Sequence, residues 1–94
     1  MPAIIVSGER YPCTGVVTIG RGETCTIRLR MTSTDHGGYI GRLHATISAE
    51  PPMFTDLSEN GSYVNGIHVF GRSVALEDGD QIRIGDVDLQ FVAV

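Results

Sequence analysis

The chain has 94 residues, 41% of them apolar, with a formal net charge of −4, which suits one domain with a single core and is too small for an ordinary substrate-enclosing enzyme. The acidic balance argues against a direct nucleic-acid partner, which selects a basic footprint. With no long apolar run and no basic-then-apolar leader, neither a membrane span nor a secretion signal is expected, so the setting is read as soluble and cytoplasmic.

Short runs rich in β-branched residues follow one another: AIIV at 3–6, VVTI at 16–19, TIRLRM at 26–31, LHATIS at 43–48, MFTDL at 53–57, SYVN at 62–65, IHVF at 67–70, QIRI at 81–84 and VDLQFVAV at 87–94. Turn dipeptides fall between them, including Asn60-Gly61, Asn65-Gly66, Asp78-Gly79 and Gly85-Asp86. In the third run Ile27, Leu29 and Met31 alternate with Thr26, Arg28 and Arg30. In the fourth, Leu43, Ala45 and Ile47 alternate with Arg42, His44 and Thr46, which predicts a half-buried strand already running at Leu43. In the last, Val87, Leu89 and Phe91 alternate with Asp88 and Gln90. The expected core holds Ile19, Cys25, Ile27, Leu29, Ala45, Ile47, Val64, Ile82, Ile84, Leu89 and Phe91. No window sustains a 3.6-residue period, so many short strands predict an all-β sandwich or barrel. There is no linker, repeat or low-complexity tract, and residues 1–94 read as a single domain.

The segment between Leu29 and Leu43 is polar, glycine-rich and longer than a hairpin needs. Its Ser33, Thr34 and His36 make it a candidate contact loop, since loops on rigid β scaffolds present side chains freely. Cys13 and Cys25 are too few for a four-ligand zinc site; a buried thiol is preferred for Cys25 over a disulfide between the two. His36, His44 and His68 show no metal-ligand spacing and no nucleophile motif stands out, so neither enzyme chemistry nor a metal or other cofactor is expected. All seven basic residues are arginines, the side chain whose planar fork suits phosphate.

Gly20-Arg21 after a strand, Cys25 to Leu29, then Arg42-Leu43-His44-Ala45, then Asp56 to Gly66, then Leu76 to Gly85 together resemble a forkhead-associated (FHA) domain. The motifs stand in the family's order and spacing over nearly the whole chain. The resemblance implies an eleven-stranded β-sandwich of the FHA/SMAD-like type, usually one part of a larger parent protein. It implies that loops at one end bind a phosphothreonine-containing peptide of a signalling partner, a product of a Ser/Thr kinase, or of the parent chain itself. Arg21 matches the main phosphate-binding arginine, Arg42 a basic residue for phosphate or peptide backbone, and Asn60 the asparagine that holds the peptide backbone. His44 matches a histidine that braces the loops, with Ser58, Gly61 and Asn65 also bracing.

Two positions depart from the family's pattern. Gly41 stands where a serine hydroxyl usually meets the phosphate, and Glu59 where a threonine usually lies close to it. At about 4 Å and an effective dielectric of roughly 20, a carboxylate against one phosphate charge costs on the order of 4 kcal/mol, less where solvent screens it. A Glu59 ion pair with Arg21 or Arg42 would fill the pocket from within. The alternative reading is therefore an FHA-like module whose protein–protein or intramolecular regulatory contacts need no phosphate.

Overall fold

A computed structural model describes residues 2–29 and 40–93. The candidate contact residues Ser33, Thr34 and His36, and the predicted inward Met31, lie outside the described residues. The described chain contains eleven strands: β1 (Ala3–Val6), β2 (Glu9–Pro12), β3 (Val16–Gly20), β4 (Ile27–Arg28), β5 (Ala45–Ala49), β6 (Pro52–Asp56), β7 (Ser62–Val64), β8 (Ile67–Val69), β9 (Ser73–Ala75), β10 (Gln81–Ile84) and β11 (Val87–Val92). They form a sandwich of two sheets, one ordered β2-β1-β11-β10-β7-β8 and the other β4-β3-β5-β6-β9. Among the described residues no helix is long and apolar enough to cross a membrane.

The turn chemistry sets the hairpins. Asn65 and Gly66 adopt φ of 52° and 80° between the paired Val64 and Ile67, a two-residue connection in which both residues need positive φ and whose twist matches that of the strands. Ser7 and Gly8, at 50° and 82°, make the same connection between β1 and β2, whose polar sequence ERYP carries no strand signal of its own. That strand and the three-residue β9 are absent from the sequence expectation. Both are edge strands, where a side chain has only one neighbouring strand and apolar patterning is weakest.

Between the sheets, Val17, Ile19, Ala45, Ile47 and Phe54 meet Ile4, Ile82, Ile84, Leu89 and Phe91, all almost completely buried. Ten of the eleven expected core residues are buried, and Cys25 is the exception: it is half-buried, while Cys13 is the thiol inside the core. Both thiols are free. A second correction concerns β5. It begins at Ala45, because Arg42 and Leu43 form a turn; Leu43 is exposed whereas His44 is wholly buried, the reverse of the alternation expected from 42 to 47.

Candidate functional site

Three loops converge at one end of the sandwich: the β3–β4 turn, the segment leading into β5, and the β6–β7 loop. The first two are bound by their backbones. Arg21 N–H donates to Gly41 O at 3.0 Å, Gly22 N–H to Arg42 O at 3.0 Å, and His44 N–H to Ile19 O at 2.8 Å. This approach requires Gly20 and Gly22. A Cβ at Gly20 would collide with the Arg42 carbonyl oxygen, and one at Gly22 would lie 2.9 Å from it, closer than side-chain carbons come. The thiol of Cys25 adds a further donor to Arg42 O at 3.0 Å. The half-buried Arg21 donates from Nε to Ile40 O at 2.8 Å, so its guanidinium is aimed by the same seam.

His44 joins the third loop. Gly41 N–H donates to His44 Nδ1 at 3.0 Å, which makes Nδ1 the acceptor and leaves the ring proton on Nε2 for donation to Gly61 O, 3.1 Å away. Asp56 Oδ1 stands 3.9 Å from Nε2, too far to take that proton. Burial lowers the His44 pKa below its ordinary 6.5, outweighing the upward effects of the Gly61 carbonyl and the Asp56 charge. The buried imidazole is thus neutral and serves as a two-ended strut.

This sets a pH dependence with a definite sign. The unfolded chain takes up the His44 proton below about pH 6.5 while the folded state resists it, so stability falls as pH drops from there toward the lowered folded value. The slope from this residue is at most about 1.4 kcal/mol per pH unit. Urea unfolding between pH 7.5 and 5.5 should show that loss in wild type. His44→Ala should cost about 1–3 kcal/mol at pH 7.5 by stranding the Gly41 amide and the Gly61 carbonyl, and should flatten the slope. An unaltered slope in a folded His44→Ala protein contradicts the assignment.

Asp56, whose role no sequence pattern assigns, is the buried centre of the third loop. Its Oδ1 accepts from the Ser58 hydroxyl at 2.7 Å and from the Ser62 hydroxyl at 2.8 Å, and Oδ2 accepts from Gly71 N–H at 2.9 Å. Ser58 Oγ in turn accepts from Gly61 N–H at 2.8 Å. Gly61 has φ of 85°, a conformation that favours glycine, and a Cβ there would displace the exposed His68 ring. An Asp two residues ahead of a Ser, closing an apolar strand and opening a turn, is the one sequence signal for this anchor.

A cavity of about 270 Å³ gathers Arg21, Gly41, Arg42, Ser58, Glu59 and Asn60. Among the described residues its charged walls are two guanidinium groups and one carboxylate. Glu59 is exposed, and among the described residues no ion pair joins it to Arg21 or Arg42. Asn60 is exposed; its carbonyl faces His68 Nε2 at 3.3 Å, and among the described residues its side-chain amide makes no hydrogen bond. Asn65 sits elsewhere, at the far end of β7. It donates to Asp80 Oδ1 at 3.0 Å and accepts from Gln81 N–H at 2.9 Å, so it ties the β7–β8 turn to the chain entering β10. Among the described residues no group of His, Cys, Asp and Glu is arranged to hold a metal.

The chain matches the FHA domain family model over residues 17–85. It is similar to the crystallised FhaA FHA domain, which was complexed with the intracellular domain of Rv3910, at 31% identity and a TM-score of 0.78, covering 97% of this chain and 99% of that one. It is also similar to Mycobacterium tuberculosis EmbR in complex with a low-affinity phosphopeptide, at 31% identity and a TM-score of 0.82, covering 98% of this chain and 24% of that one. The MEK1 FHA domain in complex with a HOP1 phosphothreonine peptide matches at 25% identity and a TM-score of 0.77, covering 97% of this chain and 94% of that one. A search of curated proteins finds no match.

Proposed function

The chain belongs to the forkhead-associated (FHA) domain family, and from that premise we propose that it is a phosphothreonine-peptide-binding module whose pocket is the cavity between Arg21, Arg42 and Asn60. The carrying observation is the gathering of those residues at one set of braced loops. A phosphate dianion needs a charged fork and small hydrogen-bond donors, because charge-assisted bonds are about twice as strong as neutral ones. Arg21 supplies the fork, Arg42 a second positive charge, and the Asn60 amide a grip on the peptide backbone. His44, Asp56, Ser58 and Gly61 touch no ligand in this reading; they hold the loops in register. The module binds rather than catalyses, takes no cofactor, and works in the cytoplasm as one domain of a larger parent. EmbR, where the matching segment is 24% of the chain, supports that last reading.

Gly41 and Glu59 support a second reading, in which the same end of the sandwich holds an unphosphorylated partner or a segment of the parent chain. Passing a phosphothreonine-centred peptide library and its unphosphorylated counterpart over the immobilised domain separates the two. The first reading expects retention of phosphorylated peptides alone; equal retention of both pools supports the second.

A further inference from the structure

We propose that His68 is a positioning residue for the peptide grip: it clamps the peptide plane between Asn60 and Gly61 and so sets where the Asn60 side chain meets a bound backbone. The proposal rests on the phosphothreonine-peptide reading of the pocket, in which Asn60 is the grip. His68 does not line the pocket itself.

The Asn60–Gly61 link is soft by nature. Rotating a peptide plane changes ψ of the residue before it and φ of the residue after it, and glycine accepts φ of either sign. The φ of 85° at Gly61 is therefore one of two conformations open to this link, and the bonds to the plane decide between them. Two bonds hold it from opposite edges. Gly61 N–H donates to Ser58 Oγ at 2.8 Å, on the side of the buried Asp56 network. At the other edge the Asn60 carbonyl lies 3.3 Å from His68 Nε2; a carbonyl oxygen only accepts, so Nε2 carries the donated proton. His68 is itself aimed before any ligand arrives. It stands opposite Tyr63 in the β7–β8 pairing, with ring centroids 5.0 Å apart, and its ring stacks on Phe70 at 6.2 Å and 11°. Contacts on both sides hold an exposed ring in place. The bond fixes the backbone that carries Asn60, while the Asn60 amide keeps its own rotamer freedom to meet the ligand. A loop already in its binding conformation loses less freedom on binding, which is how a residue that touches no ligand raises affinity.

The test is a double-mutant cycle read by titration calorimetry with one phosphothreonine peptide. His68→Phe keeps a ring between Tyr63 and Phe70 and removes the donor; His68→Gln keeps a donor at similar reach and removes the ring. His68→Phe should weaken binding about fivefold, the scale of one ordinary hydrogen bond, and His68→Gln should stay within about twofold of wild type. In an Asn60→Ala background, His68→Phe should change affinity by less than about twofold, because the residue acts through Asn60. A His68→Phe protein of full affinity, or an equal loss that persists without the Asn60 side chain, overturns the proposal. Amide hydrogen exchange of the free domain reads the clamp without any peptide. Gly61 N–H should exchange faster in His68→Phe and at the wild-type rate in His68→Gln. If no phosphothreonine peptide binds wild type, the reading of the pocket fails and the exchange rates decide the clamp: a faster Gly61 rate in His68→Phe supports it, and an unchanged rate overturns it.

Discussion

Asp56→Ala is expected to destabilise the domain by about 3 kcal/mol, lowering the melting temperature by roughly 15 °C. Its carboxylate answers three donors at once, from Ser58, Ser62 and Gly71, and Asp56 and Ser62 are both almost completely buried. Truncation strands the buried Ser62 hydroxyl, the half-buried Ser58 hydroxyl and the Gly71 amide; a buried group left without a partner costs about 1–3 kcal/mol, and water can take the place of the carboxylate at the exposed Gly71. Partial rearrangement offsets some of this. Asp56→Asn should fall between wild type and Ala, because one oxygen remains an acceptor while the new amide confronts a donor. Urea unfolding monitored by circular dichroism measures both variants; an Asp56→Ala protein within about 0.5 kcal/mol of wild type would mean that the β6–β7 loop is held by other contacts.

The double change Gly41→Ser with Glu59→Thr is expected to tighten binding of a phosphothreonine peptide by about tenfold or more. Serine fits at position 41: an added Cβ meets His44 Nδ1 at 3.7 Å, an ordinary contact. The hydroxyl then stands in the cavity shared with Arg21 and Arg42. Removing Glu59 removes a repulsion of about 4 kcal/mol at an effective dielectric of 20, but of only about 1 kcal/mol at the dielectric of water. Glu59 is exposed, so the smaller figure governs, and about 1.4 kcal/mol corresponds to tenfold in affinity. Added salt should shrink the difference between the proteins, since it screens a carboxylate at the surface. Calorimetry at low and moderate salt reads both effects. Equal affinities for wild type and the double variant would place Glu59 away from the bound phosphate.

The parts of this molecule that the sequence made legible are those where one physical rule acts alone. Ile82 and Ile84, or Leu89 and Phe91, alternate along strands with one face buried, and the period of two reads directly. Asn65-Gly66 demands its own turn. Where two rules compete, the reading failed. Leu43 to Ile47 alternates as a strand should, yet the backbone of Arg42 is drawn into the seam with Gly22, and the turn this makes exposes Leu43 and buries His44. The edge strands β2 and β9 carry too little apolar patterning to be seen.

The candidate site was legible as a set of residue types, because Arg21, Arg42, Ser58 and Asn60 stand in a familiar order. Its construction was not. The role of Asp56 depends on Ser62 and Gly71, which are six and fifteen residues away. The seam between the β3–β4 turn and the segment before β5 depends on a thiol and an amide converging on one carbonyl. Such juxtapositions exist only once the two sheets are closed.

The most direct measurement is the affinity of wild type and Arg21→Ala for one library-selected phosphothreonine peptide and for its unphosphorylated twin. Wild type should bind the phosphorylated form at least about a hundredfold more tightly than its twin, which corresponds to about 2.7 kcal/mol. Arg21→Ala, checked as folded by its melting curve, should lose nearly all of that preference. A folded Arg21→Ala protein that keeps the preference, or a wild type that binds both peptides equally, would contradict the assignment of this pocket to phosphothreonine.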